Sequence, residues 1–396
     1  MKKMIKKIIQ ILVNNFSRLI PMKERIVFES NPDFSDNTII LFDNILNDSK
    51  YNNYDFYWIL KSNNIPDKYR NNSRIKFHVV SNGNILEKIF NFSELLYIFS
   101  SSSFVFFSHV LNSPIEPKPG QKVVFLTHGF HFKKGQGRHF NPKKVTDVIT
   151  LSDLDDTVAQ MTYEVEPQKL VQLGYSRNDL LFQKNKGNLE SLLGEEVIDK
   201  EIIVWLPTFR RHENGLTNDS KKKDNESDIP VIQSIEDLKN LNSILDENNM
   251  LLVLKPHPAQ NMRFFKVESF SNIVVISNQD LSSNEMHLYD LLSISSCLIT
   301  DYSSVFIDYL LTDKPIIFTF DDLDMYENNL GFSLPDFSSY MPGIKIKTMY
   351  DLFDTIKSKS FNNEYYKCER IRVKKLMHKE IGGKYSNSII DYYLKD

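Results

Sequence analysis

Three short apolar runs in this chain end in the same way, and that repetition limits the folds open to it. Ile299 leads into Thr300-Asp301-Tyr302-Ser303-Ser304, Val123–Thr127 opens onto His128-Gly129, and Leu251–Leu254 opens onto Lys255-Pro256-His257-Pro258. A buried strand that stops at hydroxyls, a lysine or a histidine carries those groups, and fresh backbone N–H groups, to the rim of a cleft. Phosphate-handling α/β proteins are built in this manner.

The segments between these runs extend the pattern. Arg25–Glu29, Phe56–Leu60, Lys76–Val80, Phe104–Ser108, Lys122–Thr127, Val145–Leu151 and Leu170–Gly174 read as short buried strands, with a helix from Thr38 to Leu46. Such spacing predicts a largely parallel sheet covered by helices. A second α/β unit starts near residue 185, with strands at Ile202–Leu206, Leu251–Leu254, Ile273–Ile276, Cys297–Thr300 and Pro315–Phe318. Its helices are expected at Ile235–Glu247, Asp351–Ser358 and Tyr365–Lys379. The polar stretch from Arg211 to Pro230, with Lys221-Lys222-Lys223, reads as a surface loop. The chain of 396 residues is long enough for two domains. The expected organisation is a helix over 1–20, one α/β domain over 21–184 and a similar second over 185–396, with a nucleotide-activated substrate held in the cleft between them.

Composition removes several alternatives. With 48 Lys and Arg against 51 Asp and Glu, the net charge of -3 gives no global attraction for nucleic acid. The two cysteines, Cys297 in an apolar run and Cys368 in a polar one, read as free thiols and supply no metal cluster. Phe92–Phe107 is the nearest approach to a membrane span, but Glu94 and the serines at 100–103 break it into a helix, a turn and a strand. The N-terminal segment is different. Met4, Ile8, Leu12, Phe16 and Ile20 recur every four residues, broadened by Ile9, Val13 and Leu19, with Lys2, Lys3, Lys6 and Lys7 gathered at one end. That pattern predicts an amphipathic helix lying on an anionic membrane surface, the alternative being a helix packed on its own domain.

Histidines are the candidate chemical groups. His128 stands between Thr127 and Gly129, where the chain can turn sharply and present an imidazole able to take a proton near neutral pH. His257 is held between two prolines beside Lys255, a setting for a partly closed phosphate pocket. His128, His131 and His139 do not have the spacing of a zinc site, and no acidic cluster accompanies them.

Read together, Phe28-Glu29-Ser30, His128-Gly129, Gly174-Tyr175-Ser176-Arg177-Asn178-Asp179, Pro207-Thr208-Phe209-Arg210, Lys255-Pro256-His257-Pro258 and Thr300-Asp301-Tyr302-Ser303-Ser304-Val305 with Asp308 resemble a known family. It is the bacterial glycerophosphotransferase family that builds teichoic acids and related capsular polymers from CDP-glycerol or CDP-ribitol. The resemblance implies an α/β fold with two Rossmann-like domains in the GT-B arrangement, the donor bound mainly by the second. It implies that His128 is the base, that His257 contacts donor phosphate, and that Arg210 counters pyrophosphate charge. Lys255, Asp301, Ser303 and Ser304 fall on the donor side, and Asp308 meets the ribose unless it is a solvent-facing helix carboxylate. Arg177 and Asp179 brace the domain junction or the donor side. The chain departs from the family at Thr127 (usually Trp), Phe130-His131 (usually Thr-Pro), Ser176 (usually Pro) and Phe209 (usually Trp), changes that alter the acceptor-side wall.

The reaction so implied is attack by an acceptor hydroxyl on the β-phosphorus of CDP-glycerol or a related CDP-alcohol, with CMP leaving. Arginine, lysine and helix N–H groups can hold a pyrophosphate directly, so neither a tightly bound cofactor nor a protein-held metal is expected, and Mg²⁺ dependence is left open. The expected partners are a lipid-linked saccharide or polyol-phosphate polymer as acceptor and an anionic membrane surface. That places the chain peripherally at the cytoplasmic face of the membrane. A GT-B glycosyltransferase using a nucleotide sugar and a non-catalytic envelope-assembly protein are the rival readings.

Overall fold

The computed structural model describes the chain apart from residues 1, 82, 135–139, 184–187, 195–198, 209–228, 257–264, 266–267, 330 and 396. His257, Arg210, His139 and the Lys221–Lys223 run therefore lie outside the described residues. The chain forms two compact units, each built on one parallel sheet.

The first sheet has seven strands, β1 (Lys23–Glu29), β2 (Asp55–Leu60), β3 (Ile75–Val79), β4 (Ser102–Phe107), β5 (Lys122–Phe125), β6 (Asp147–Thr150) and β7 (Leu170–Gln172). Their order is β3-β2-β1-β4-β5-β6-β7. The chain starts in the middle at β1, runs outward to β3, then returns to the other side of β1 with β4. The sheet thus reverses direction between β1 and β4, where a crevice opens at the carboxyl ends of parallel strands. Val27, Phe28, Val105 and Phe106 are fully buried because helices cover both faces, and so these strands read as near-continuous apolar runs. The Ile85–Ser101 helix, capped by Asn84, passes directly into β4 without the intervening turn expected from the serine run.

The second sheet has six strands, β8 (Glu201–Leu206), β9 (Met250–Leu254), β10 (Ile273–Val275), β11 (Cys297–Thr300), β12 (Ile316–Thr319) and β13 (Ile344–Ile346), ordered β10-β9-β8-β11-β12-β13. Its reversal point lies between β8 and β11. The Ile235–Glu247 helix begins at a reciprocal cap between Ser234 and Asp237, and its buried Leu238, Leu241, Ile244 and Leu245 join the core beneath β8 and β9.

The division of the chain differs from that expected. The first unit comprises residues 1–129, 137–179 and 384–396, and the second 130–136 and 180–383. The C-terminal helix Tyr385–Tyr393 belongs to the first unit rather than to a domain running from 185 to 396. Its first amides, Tyr385 N–H and Ser386 N–H, donate to the Asp179 carboxylate at 2.7 and 2.9 Å. A carboxylate at a helix start satisfies donors that have no partner within the helix, and here it fastens the end of the chain to the first unit. Conversely, Phe130–Gln136 leaves the first unit for the second. Phe132 stacks on Phe337 with centroids 4.1 Å apart, and its carbonyl accepts from Ser333 N–H at 2.6 Å.

The N-terminal helix, Lys2–Leu19, combines the two alternatives posed by its sequence. One face docks on the first unit: Gln10 Nε2 donates to the Pro114 carbonyl at 2.9 Å, and Asn14 Oδ1 accepts from Glu116 N–H at 3.1 Å. The other face leaves Met4, Ile8, Ile9, Ile11, Leu12, Phe16 and Leu19 at least half exposed. Among the described residues no helix is long and apolar enough to cross a membrane.

Candidate active site

In the first unit, the sheet edge around the β1/β4 reversal gathers a compact polar cluster. His128 follows β5 on a backbone shaped by two unusual residues, Thr127 at φ 57° and Gly129 at φ 132°. A β-branched residue at positive φ is disfavoured and persists only where its surroundings hold it. Asn37, fully buried at the start of the Asp36–Asn47 helix, does so by donating from Nδ2 to the carbonyls of Leu126 and Thr127 at 3.0 and 3.1 Å. Asn37 is itself held by Ser176 Oγ, which donates to its carbonyl at 2.6 Å, and by Arg177 N–H, which donates to its Oδ1 at 3.1 Å. Arg177 Nη1 donates to the His128 carbonyl at 2.9 Å and to Asp36 Oδ1 at 2.5 Å. The Gly174–Asp179 motif therefore braces the His128 loop through Arg177 and the C-terminal helix through Asp179, both inside the first unit.

A second imidazole lies against the first. His109, just after β4, stacks on His128 with ring centroids 4.6 Å apart and planes 19° from parallel, and its Nε2 is 3.7 Å from Asp36 Oδ2. Burial, reinforced by His109 and Arg177, pulls the His128 pKa from 6.5 down to about 4, against the opposing pull of Asp36. His128 is thus neutral near pH 7, the form that accepts a proton. Burial also lowers the His109 pKa, with Asp36 opposing. Asp36 is buried, which alone would raise its pKa, but Arg177, His109 and His128 together hold it below the usual carboxylate range. At the end of β1, burial pushes the Glu29 carboxyl up to about 8, although Asn112 donates to it from both backbone and side chain.

In the second unit, Lys255, Thr208 and Asp301 come from the carboxyl ends of three adjacent strands, β9, β8 and β11. The Lys255 amide continues the ladder by donating to the Trp205 carbonyl at 3.0 Å, and burial lowers its ammonium pKa. Asp301 is placed differently from a donor ligand. It is fully buried, and its carboxylate accepts from Thr208 N–H at 3.0 and 2.9 Å and from Thr208 Oγ1. Asp301 thereby holds Thr208, two residues beyond the end of β8. Ser303 and Ser304 are half-buried and lead into the short Val305–Tyr309 helix. Asp308 is not a solvent-facing helix carboxylate: it is buried and accepts from Tyr289 Oη. The structure brings Lys255, Asp301, Ser303, Ser304 and Asp308 onto one unit and places His128 on the other. Among the described residues, no three His, Cys, Asp or Glu side chains are grouped so as to hold a metal ion.

Sequence reasoning passed over His109, Asp36 and Asn37. The available signal for His109 was its place directly after an apolar run, the same context that singled out His128.

Residues 12–395 match the CDP-glycerol:poly(glycerophosphate) glycerophosphotransferase family. The chain belongs to that family. It is 32% identical over 201 residues to a teichoic acid poly(glycerol phosphate) polymerase of Bacillus spizizenii, a match covering 49% of this chain and 46% of that protein. It is 24% identical over 379 residues to the teichoic acid ribitol-phosphate polymerase TarK of Staphylococcus aureus, covering 90% of this chain and 66% of TarK. This family member thus spans roughly half to two thirds of the length of these relatives. The structure of the wall teichoic acid polymerase TagF is similar in fold, with a TM-score of 0.72 at 21% identity over 97% of this chain and 92% of that one. The fold class expected from the sequence, two Rossmann-like α/β units of GT-B type, is the one found.

Proposed function

We propose that this glycerophosphotransferase family member moves glycerol phosphate, or another polyol phosphate, from a CDP-alcohol to an acceptor hydroxyl in teichoic acid or capsular polymer synthesis. The family match along nearly the whole chain carries this reading. The acceptor oxygen forms a bond to the donor β-phosphorus, and the bond from that phosphorus to the bridging oxygen breaks, its electron pair leaving with CMP. The hydroxyl proton passes to the neutral imidazole of His128, a role typically worth on the order of 10²–10⁴ in rate. Lys255, with Arg210 and His257 from their sequence motifs, supplies positive charge to the pyrophosphate, and the Ser303–Ser304 segment adds hydrogen-bond donors. Asp301 holds Thr208, two residues before Arg210 in the sequence, and Asp308 braces Tyr289. The donor substrate is CDP-glycerol or a related CDP-alcohol, with no tightly bound cofactor assigned.

The acceptor is a lipid-linked saccharide or polyol-phosphate polymer, and we place the protein peripherally at the cytoplasmic membrane face. The exposed apolar stripe of the Lys2–Leu19 helix supports this, as does the Ile85–Ser101 helix packed beside it, whose Ile85, Leu86, Ile89 and Phe90 are also exposed. Purified protein given CDP-glycerol or CDP-ribitol with a lipid-linked saccharide acceptor should release CMP and extend the acceptor by one polyol phosphate per CMP. With a UDP- or CDP-sugar supplied instead, release of UDP or CDP with a glycosidic product would select the glycosyltransferase reading, and no turnover of either CDP-alcohol would overturn the proposal.

A further inference from the structure

His109 has no assigned role, yet its ring stacks on that of the proposed base. Its position is set from both sides of the chain. The preceding residue, Ser108, is pinned by its amide donating to the Glu29 carbonyl at 3.2 Å and by a 2.7 Å hydroxyl contact with Thr38. The imidazole then reaches Asp36 at 3.7 Å and lies nearly parallel to His128 at 4.6 Å. Arg177 bridges Asp36 to the His128 carbonyl, so Asp36, His109, His128 and Arg177 form a closed ring of contacts. His109 Nδ1 is buried without a hydrogen-bond partner among the described residues, and its Nε2 faces the Asp36 carboxylate beyond hydrogen-bond distance.

We propose that His109, which faces Asp36, is a positioning residue for His128: it fixes the plane of the base by stacking and makes simultaneous charging of the two rings unfavourable. This inference rests on the assignment of His128 as the base of the transfer reaction. Two neutral aromatic rings in offset contact attract, whereas two imidazolium ions at this separation repel. The remaining charges in the cluster do not remove that conflict. Asp36 and Arg177 act on both rings with opposite signs, and Lys61 adds positive charge near His109. The pair therefore holds one proton readily and two only with difficulty. The proton removed from the acceptor is taken up as the sole positive charge of the pair, with the Asp36 carboxylate behind it.

The test uses full-length protein carrying ¹³Cε1-labelled histidine, with His128 assigned from the spectrum of His128→Asn. In His109→Phe a flat ring remains but its charge is removed, and the His128 titration midpoint should rise by about one unit. The acid limb of kcat/KM should move with it while kcat stays within about threefold. His109→Ala also removes the stack, and kcat should fall about tenfold at unchanged donor KM. Thermal unfolding identifies a variant that has merely lost its fold, in which case the Phe variant decides. An unchanged His128 midpoint in folded His109→Phe would overturn the proposal. The titration needs no substrate, so it still decides if the wild-type protein releases no CMP, a result that would count against the transfer reading instead.

Discussion

The position of Asp301 leads to a prediction that separates bracing from donor contact. Its carboxylate accepts from the Thr208 backbone and hydroxyl in a fully buried setting, and Thr208 lies two residues before Arg210. In Asp301→Asn the side chain keeps its shape and one accepting oxygen, but it loses its charge and turns an NH₂ toward a site built for acceptors. Hydrogen bonds to a charged group contribute about 1.5–3 kcal/mol each. The Thr208 hydroxyl can rotate to accept from the new NH₂, so the expected net loss is about 2 kcal/mol. For a unit of this size that lowers the unfolding midpoint by about 4–8 °C. Thr208→Val removes the hydroxyl contact but keeps the backbone bonds, and should cost about 1.5–3 kcal/mol. The loosened segment should also raise the donor KM, by about tenfold for each 1.4 kcal/mol transferred to binding. Thermal unfolding without donor, paired with steady-state CMP release, provides both readings. A raised donor KM in Asp301→Asn with an unchanged unfolding midpoint would place Asp301 on the donor and refute the bracing argument. No change in either would leave it without a role.

Two further outcomes follow from the first unit. With the His128 pKa near 4, the base is about 97% neutral at pH 5.5, against about 9% for an imidazole at 6.5; protonation disables the base, so kcat/KM should hold from pH 7 to about 5 and fall only below that. A half-loss near pH 6.5 would contradict the environment described for His128. The Lys2–Leu19 helix is docked through Gln10 and Asn14, so deleting it would also uncover the first unit; Leu12→Glu with Phe16→Glu instead changes only exposed positions. That variant should lose most of its sedimentation with anionic vesicles at unaltered thermal stability, and equal binding by both proteins would exclude this face as the membrane contact.

What was legible in the sequence and what was not divides along physical lines. Strands buried on both faces appear as short unbroken apolar runs, and Ile202–Leu206, Leu251–Leu254 and Cys297–Thr300 differ from β8, β9 and β11 by at most one residue. The Ile235–Glu247 helix coincides with its expected span because Ser234 and Asp237 mark its start in the sequence as they cap it in the fold. The C-terminal helix was assigned to the wrong unit because its attachment depends on one carboxylate, Asp179, meeting amides more than 200 residues away, and no local pattern encodes such a pairing. Asp301 and Asp308 illustrate a different failure. Their motif locates them at and just beyond the carboxyl end of β11, but a motif does not say whether a carboxylate points outward or inward, and both accept from side chains of their own unit, Thr208 and Tyr289. His128 could be singled out by its strand-end context, yet the features that place it and keep it neutral come from elsewhere in the chain: Asn37 holding the strained Thr127, Arg177 holding the His128 carbonyl, and His109 lying across the ring. Asp36 and Asn37 sit in a polar segment before an apolar helix, where a helix start is the ordinary explanation. Their second role exists only because the parallel order of β1, β4 and β5 sets the loops after these strands side by side. A chemical group can thus be recognised locally, whereas its protonation state and orientation depend on the sheet order that assembles its neighbours.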